Sequence, residues 1–423
     1  MRRAFVIILD GLRRDFVSPE RTPCLSEFAT VAACFEAHRS VFPSATRAVS
    51  AAFATGCHPA SNGLQGNTVA LFKDGRLAIH DVGRPDFFEC KRSITGKSLA
   101  RPTLAERLSG AGGAVIFNNV SPGAAYAHDP DGFGTVYHRA GSRGPRFKAV
   151  AEPLDIAVGI EGDEAMAERF VTEMVKGEAA LGVLWLSEPD TTQHAVPLGS
   201  PEHLEVLRRA DAIAGRVGAA IEAMGGDDLV MVMSDHGHQT VDRIIDIDAF
   251  LVEQGLKEAG SDRVLVAPNG TAALIYVHPD DARQIPLIRD ALKNAPWVGA
   301  VFCGDDLASV GQAPVGGLAL AVSLAASDAP NAFGVAGTSV AAQPLAGKPD
   351  RLGCGQHGGL GTFEQAPFLM IRGRGFPPGT HRQDATSVVD LAPTILSHLA
   401  VPFADLDGRE LQTFSEPHGD LQS

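Results

Sequence analysis

Phe5-Val6-Ile7-Ile8-Leu9-Asp10-Gly11 sets five apolar residues in a row, then a carboxylate and a glycine. An unbroken apolar run of this length is the pattern of a strand buried on both faces, which needs helices on both sides of its sheet. Leu181-Gly182-Val183-Leu184-Trp185-Leu186 and Leu229-Val230-Met231-Val232-Met233 read the same way, and Ala114 to Phe117 and Phe368 to Ile371 are shorter versions. Helices are expected between them. Ser200 reads as an N-cap, Pro201 as the first helical residue and Gly225-Gly226 as the stop, with a stripe of Leu204, Leu207, Ala210, Ala214, Val217 and Ile221. Pro102 to Leu108 predicts a second helix. Ala385 to Leu399 predicts a third, kinked or restarted at Pro393. Strand alternating with helix predicts an α/β fold with a doubly wound, mostly parallel sheet.

At 423 residues and 44.3 kDa the chain has room for about two domains, or one large α/β domain with an insertion. Residues 247–345 break the alternation and end in a Gly/Ala-rich tail, Pro314 to Pro344. They are expected to form a smaller α+β insertion that caps the site, with residues 1–246 and 346–423 as the core. Apolar residues make up 45% and charged residues 20%, which excludes global disorder. Lys plus Arg is 36 and Asp plus Glu is 50, a net charge of −14. Such acidity argues against nucleic-acid polymers and anionic membranes as partners, and for a small-molecule substrate. The six cysteines contain no CxxC pair, so a reducing compartment is expected. The apolar run from Ala4 to Leu9 is too short to span a bilayer and lacks a cleavage site, which points to a soluble, cytoplasmic protein.

The chemistry gathers where the strands stop. The first runs into Asp10-Gly11, the second into Ser187-Glu188-Pro189-Asp190 with His194 four residues on, and the third into Ser234-Asp235-His236-Gly237-His238. In an open α/β sheet ligands bind beyond the carboxyl ends of the strands, so Asp10, Asp190, His194, Asp235 and His236 are expected at one edge. Crowded carboxylates need a cation. Mixed Asp and His ligands suit Zn²⁺, Mn²⁺ or Fe²⁺, and five exceed one tetrahedral zinc, so two divalent ions are expected. His357, in Gly353-Cys354-Gly355-Gln356-His357-Gly358-Gly359, is the candidate ligand from the C-terminal half. Thr46, in Phe42-Pro43-Ser44-Ala45-Thr46-Arg47, sits where an apolar helix begins, and helix N-termini hold phosphoryl oxygens. Taken singly, each feature has a plainer reading: a turn at Asp10-Gly11, surface polarity at Asp190 and His194, an N-cap at Ser44 or Thr46.

Taken in order, these pieces resemble the alkaline phosphatase superfamily, and within it the type I phosphodiesterase/nucleotide pyrophosphatase family. They are Asp10-Gly11, Phe42-Pro43-x-x-Thr46, Thr55-Gly56-x-x-Pro59, Asn62-Gly63, Glu188-Pro189-Asp190-x-x-x-His194, Ser234-Asp235-His236-Gly237, His357-Gly358-Gly359 and Val389 to Leu396. The resemblance implies a two-metal phosphoester hydrolase. Asp190, His194 and His357 would hold one zinc, and Asp10, Asp235, His236 and the Thr46 hydroxyl the other. Thr46 would attack phosphorus and form a phosphothreonine. Asn67 and the backbone N–H of Arg47 would bind a phosphoryl oxygen. Arg47 itself departs from the Phe or Asn common there, and Gln193 from a Gly before the metal-binding His. A phosphonoacetate hydrolase is the alternative, although residues 118–126 lack the expected lysines and leave only Arg47 or Arg139 as substitutes. A phosphomonoesterase gripping a dianion with Arg47 is another. A sulfatase is disfavoured because Cys57 follows Thr55-Gly56 and reads as structural. A non-catalytic metal protein is disfavoured because every ligand position is filled. His128, Asp129, Asp131 and His138 are candidates to shape the substrate pocket.

Overall fold

The computed structural model describes residues 2–413, so Met1 and the last ten residues of the predicted core lie outside the described residues. Eight strands form the central sheet: β1 (Ala4–Leu9), β2 (Ala33–Phe35), β3 (Ala114–Asn118), β4 (Thr135–Tyr137), β5 (Leu181–Leu186), β6 (Leu229–Met233), β7 (Leu369–Arg372) and β8 (Thr380–Arg382). Their order is β8-β2-β7-β6-β1-β5-β3-β4. All pairings are parallel except those of β7, which runs against both neighbours. The fold is therefore α/β with a mostly parallel sheet, as the apolar runs imply. The three-residue strands β2, β4 and β8, of which β4 and β8 are the sheet's edges, had no counterpart in the sequence reading, being too short to carry a pattern.

Five helices position the sheet and site: α1 (Thr46–Thr55), α2 (Pro122–Ala127), α3 (Ile160–Lys176), α4 (Pro201–Met224) and α5 (Leu391–His398). Alternate residues of each strand serve opposite faces. Val6, Ile8 and Trp185 join Val49 and Phe53 of α1 and Ile395 of α5 in one core, while Phe5, Ile7 and Leu184 join Phe170 of α3 and Leu207 of α4 in the other. Ser200 caps α4 by accepting from the His203 N–H at 3.3 Å, and Gly225 follows its last residue. The segment expected as one helix over 385–399 divides. Thr386–Ser387 pairs with His38–Arg39, a 3₁₀ turn follows, and α5 starts at Leu391. Pro393 falls in the first turn of α5, where its missing N–H breaks no helical bond.

Residues 264–324 carry a second, antiparallel sheet. Val264–Asn269, Ala272–Val277, Leu318–Leu324 and Val298–Cys303 lie side by side in that order. Helix Ile285–Lys293 covers it with Ile288 and Leu292 in a separate apolar cluster. Ala326–Pro330 and Ala336–Ala342 belong to a third sheet with Gln239–Ile245 and Gly355–Gln356, which ties this part of the chain back to the segment that follows β6. Among the described residues no helix is long and apolar enough to cross a membrane.

Candidate active site

β1 lies between β5 and β6 in tight register, Leu9 opposite Leu186 and Ile8 opposite Met233. Their carboxyl ends therefore finish level, and the three polar segments that follow meet. The structure brings Asp10, Asp190, His194, Asp235, His236, His357 and Thr46 into one cluster. The ligating atoms of Asp10, Asp235 and His236 lie within 4.8 Å of one another, as do those of Asp190, His236, His238 and His357.

Each carboxylate of the first group has one fastened oxygen and one free. Asp10 Oδ2 accepts from the Trp185 indole at 2.7 Å, and Asp235 Oδ1 from the Gly11 N–H at 3.0 Å. Asp10 Oδ1 and Asp235 Oδ2 are buried with no hydrogen-bond partner, and they lie 3.5 and 3.1 Å from His236 Nε2. Orphaned carboxylate oxygens facing an imidazole in a buried site fit a divalent cation. The imidazoles are aimed in the same way. The Nδ1 atoms of His194, His236 and His357 face the carbonyls of Gly355 (2.8 Å), Gly237 (3.1 Å) and Ser44 (2.6 Å). A carbonyl only accepts, so Nδ1 carries the proton and Nε2 keeps its lone pair for a metal.

The electrostatics agree. Burial, with the charges of Asp235 and Asp190, pushes the Asp10 carboxyl well above its usual range, and burial pushes Asp235 up to about 8. Burial also opposes ionisation of Asp190, yet His194, His238 and His357 outweigh it and hold that carboxyl well below its usual range. Burial lowers His236 to about 3 and His194 to about 4, with the charge of Asp190 working against it in both.

His238 was absent from the expected ligand set. It is fully buried, its Nε2 stands 2.7 Å from Asp190 Oδ1, and the same oxygen is 3.4 Å from His194 Nε2 and 3.6 Å from His357 Nε2. Gly11, at φ +70°, makes room for it: a Cβ there would come 2.7 Å from His238 Nε2. The signal available in the sequence was the second imidazole of His236-Gly237-His238.

Thr46 is the first residue of α1, and its Oγ1 lies 3.1 Å from His236 Nε2. Asn67 sits beside it, with Oδ1 accepting the Arg47 N–H at 2.8 Å. The two expected phosphoryl donors are thus bonded to each other, and among the described residues the Asn67 amide nitrogen has no hydrogen bond. Asn269, on the hairpin of the antiparallel sheet, went unnoticed in the sequence; its Oδ1 accepts the Asn67 N–H at 2.6 Å.

Above the cluster opens a pocket of 510 Å³ lined by Thr46, Arg47, Asn67, Asp190 and His357, with Lys348 and Arg351 from another loop. The other pocket candidates take structural positions instead. His128 packs edge-on against Phe53 and Trp185, Asp129 accepts from the N–H groups of Phe133 and Gly134, Asp131 pairs with Arg92, and His138 Nδ1 accepts from Ala140. Cys57 is buried with its thiol against the carbonyls of Thr55 and Asp405.

A family model described as type I phosphodiesterase/nucleotide pyrophosphatase matches residues 4–298. No curated protein matches the chain in sequence. Among solved structures, murine ectonucleotide pyrophosphatase/phosphodiesterase 5 superposes with a TM-score of 0.70 at 18% identity, covering 96% of this chain and 97% of its own. An inactive form of that protein was solved with AMP. Phosphonoacetate hydrolase from Sinorhizobium meliloti 1021, solved with phosphonoformate, gives 0.67 at 16% identity, covering 95% of each chain. At these identities the likeness to both structures is one of fold.

Proposed function

The chain belongs to the type I phosphodiesterase/nucleotide pyrophosphatase family, and from that premise we propose that it is a two-metal phosphoester hydrolase acting through a phosphothreonine at Thr46. Membership makes it a metal-dependent phosphohydrolase. The observation that carries the finer reading is the Thr46 hydroxyl, 3.1 Å from His236 Nε2 at the N-terminus of α1.

In this reading Asp190, His194 and His357 hold one ion, and Asp10, Asp235, His236 and Thr46 the other. Zn²⁺ is the natural occupant, with Mn²⁺ and Fe²⁺ compatible with the same donors. Bound, the pair would supply Lewis-acid charge and lower the pKa of a hydroxyl and of a water. Thr46 releases its hydroxyl proton to solvent as its Oγ attacks phosphorus in line with the leaving oxygen. The P–O bond to the leaving group breaks, and that oxygen departs with the bonding pair. Water then attacks the phosphothreonine from the opposite side and gives up a proton, and the Thr46 oxygen leaves with the bonding pair and takes up a proton. The N-terminal dipole of α1 and the Asn67 amide stabilise the charge on the phosphoryl oxygens. Residues 247–345 act as the cap, placing Asn269 against Asn67. The substrate is a small phosphoester or phosphonate, and the two solved neighbours bind ligands of that kind. The position of Arg47 favours, as a second reading, a monoester or phosphonate over a plain diester.

The test is p-nitrophenol release by zinc-loaded protein from bis-p-nitrophenyl phosphate, with p-nitrophenyl phosphate alongside. Faster diester turnover supports the phosphodiesterase, and faster monoester turnover the second reading. Thr46→Ala should remove at least about 10³-fold of the rate, on the scale of losing a nucleophile, while the bound zinc stays largely in place. A near wild-type rate in that variant would remove Thr46 as nucleophile.

A further inference from the structure

Arg47 follows the nucleophile on the first turn of α1, and most of its hydrogen-bonding capacity is unused. Its Nε donates to Ser121 Oγ at 2.9 Å, and Ser121 is itself the N-cap of α2, just beyond the end of β3. That bond fixes the guanidinium but employs one of its five N–H groups. Among the described residues no hydrogen bond or ion pair engages its two terminal nitrogens. One of them, Nη2, occupies a niche beside Gly83, where a Cβ would stand 2.8 Å from it and 3.0 Å from Asp81 Oδ1. Asp81 is the strongest charge acting on Arg47, yet both its oxygens are committed. Oδ1 accepts the Gly83 N–H at 2.8 Å, and Oδ2 pairs with Lys348 at 3.1 Å. Arg139, the other arginine of interest, is tied to the backbone and side chain of Asn119.

Arg47 itself lines the pocket that holds Thr46. Lys348 and Arg351 line the same pocket, Arg351 bonded to the His194 carbonyl at 3.0 Å. A guanidinium fixed through its Nε, with both terminal nitrogens unengaged among the described residues, is suited to the two oxygens of a carboxylate or phosphoryl group. We propose that the Arg47 fork, held by Ser121 and the Gly83 niche, is a subsite for a second anionic group of the substrate. The preferred substrate then carries a further carboxylate or phosphoryl group next to the reacting phosphorus. This rests on the phosphoryl-transfer reading above and names its substrate class.

Three p-nitrophenyl esters that share a leaving group test it: of methylphosphonate, of carboxymethylphosphonate and of phosphonomethylphosphonate. Zinc-loaded protein should favour at least one of the charged esters over the methyl ester by about tenfold or more in kcat/KM, the worth of one charge-assisted hydrogen bond. Which charged ester wins identifies the anion. The preference should collapse towards unity in Arg47→Gln and survive in part in Arg47→Lys, which keeps a point charge without the fork. Gly83→Ala, which crowds Nη2 from outside the cluster, should lower it independently. Equal rates on all three esters, or a preference unchanged in both Arg47→Gln and Gly83→Ala, would overturn the subsite. Hydrolysis of none would sink the hydrolase reading instead. The subsite would then be read by calorimetric affinity for carboxymethylphosphonate against methylphosphonate, where equal affinities would overturn it.

Discussion

His238 illustrates how much one side chain can add to a ligand set without belonging to the motif that announces it. It stands against the oxygen of Asp190 on which His194 and His357 also converge, so it orients the carboxylate those two imidazoles share. Losing a partner of this kind typically costs about 10–100-fold in metal affinity. His238→Ala should therefore weaken zinc binding by that order in competition with a chromogenic chelator, and His238→Gln, which can still donate to Asp190, should recover part of it. Unchanged affinity in the alanine variant would exclude the orienting role. Asp10, Asp190, Asp235 and His236 were legible because each lies within four residues of the end of an apolar strand. His238 and Asn269 were not, because their partners, Asp190 and Asn67, are 48 and 202 residues away in the chain. Only the fold makes those contacts.

Helix α3 and the turn after β5 work as a unit. Asp163, buried on α3, accepts from the N–H groups of Ser187 and Glu188, both at 3.0 Å, and from Asn119 at 2.8 Å. It thereby fastens the turn that delivers Asp190. Removing it leaves buried N–H groups unpaired, at about 1–3 kcal/mol each. Asp163→Ala should lower the thermal midpoint and also weaken zinc binding, whereas a core truncation such as Leu207→Ala on α4 should lower the midpoint alone. Equal zinc affinity in Asp163→Ala and wild type would show that the turn holds without the helix. The limits of α4 could be read from Ser200, Pro201 and Gly225 because caps write themselves into sequence. The division of 385–399 could not, since the pairing of Thr386–Ser387 with His38–Arg39 is a long-range choice that local propensity does not record.

Across the whole molecule, the parallel sheet levels three acidic segments and so concentrates negative charge where water is excluded. In metal-free protein Asp10 and Asp235 take up protons on folding, because their folded-state pKa values lie above the unfolded ones. Where the folded state binds more protons than the unfolded, stability falls as pH rises. Chelator-treated protein should accordingly lose thermal stability between about pH 6.5 and about pH 8, above the range in which the buried imidazoles of His194 and His236 act in the opposite sense, and zinc should flatten that slope by compensating the carboxylates. A metal-free midpoint that rises through this window would contradict the reading. At this scale the apolar strands and acidic termini announced the main sheet and its active edge. The third sheet stayed hidden, because its strands come from residues 239–245, 326–342 and 355–356, and each is unremarkable alone.

The bond between Trp185 and Asp10 has an optical consequence. The chain has two tryptophans, and the other, Trp297, is buried against Phe250 in the cluster of the antiparallel sheet. An indole that donates to a carboxylate senses the charge on it, so zinc arriving at Asp10 should change the emission of Trp185 while Trp297 supplies a constant background. The protein would then report its own metal occupancy in ultraviolet fluorescence without any label, and Trp185→Phe should silence the signal.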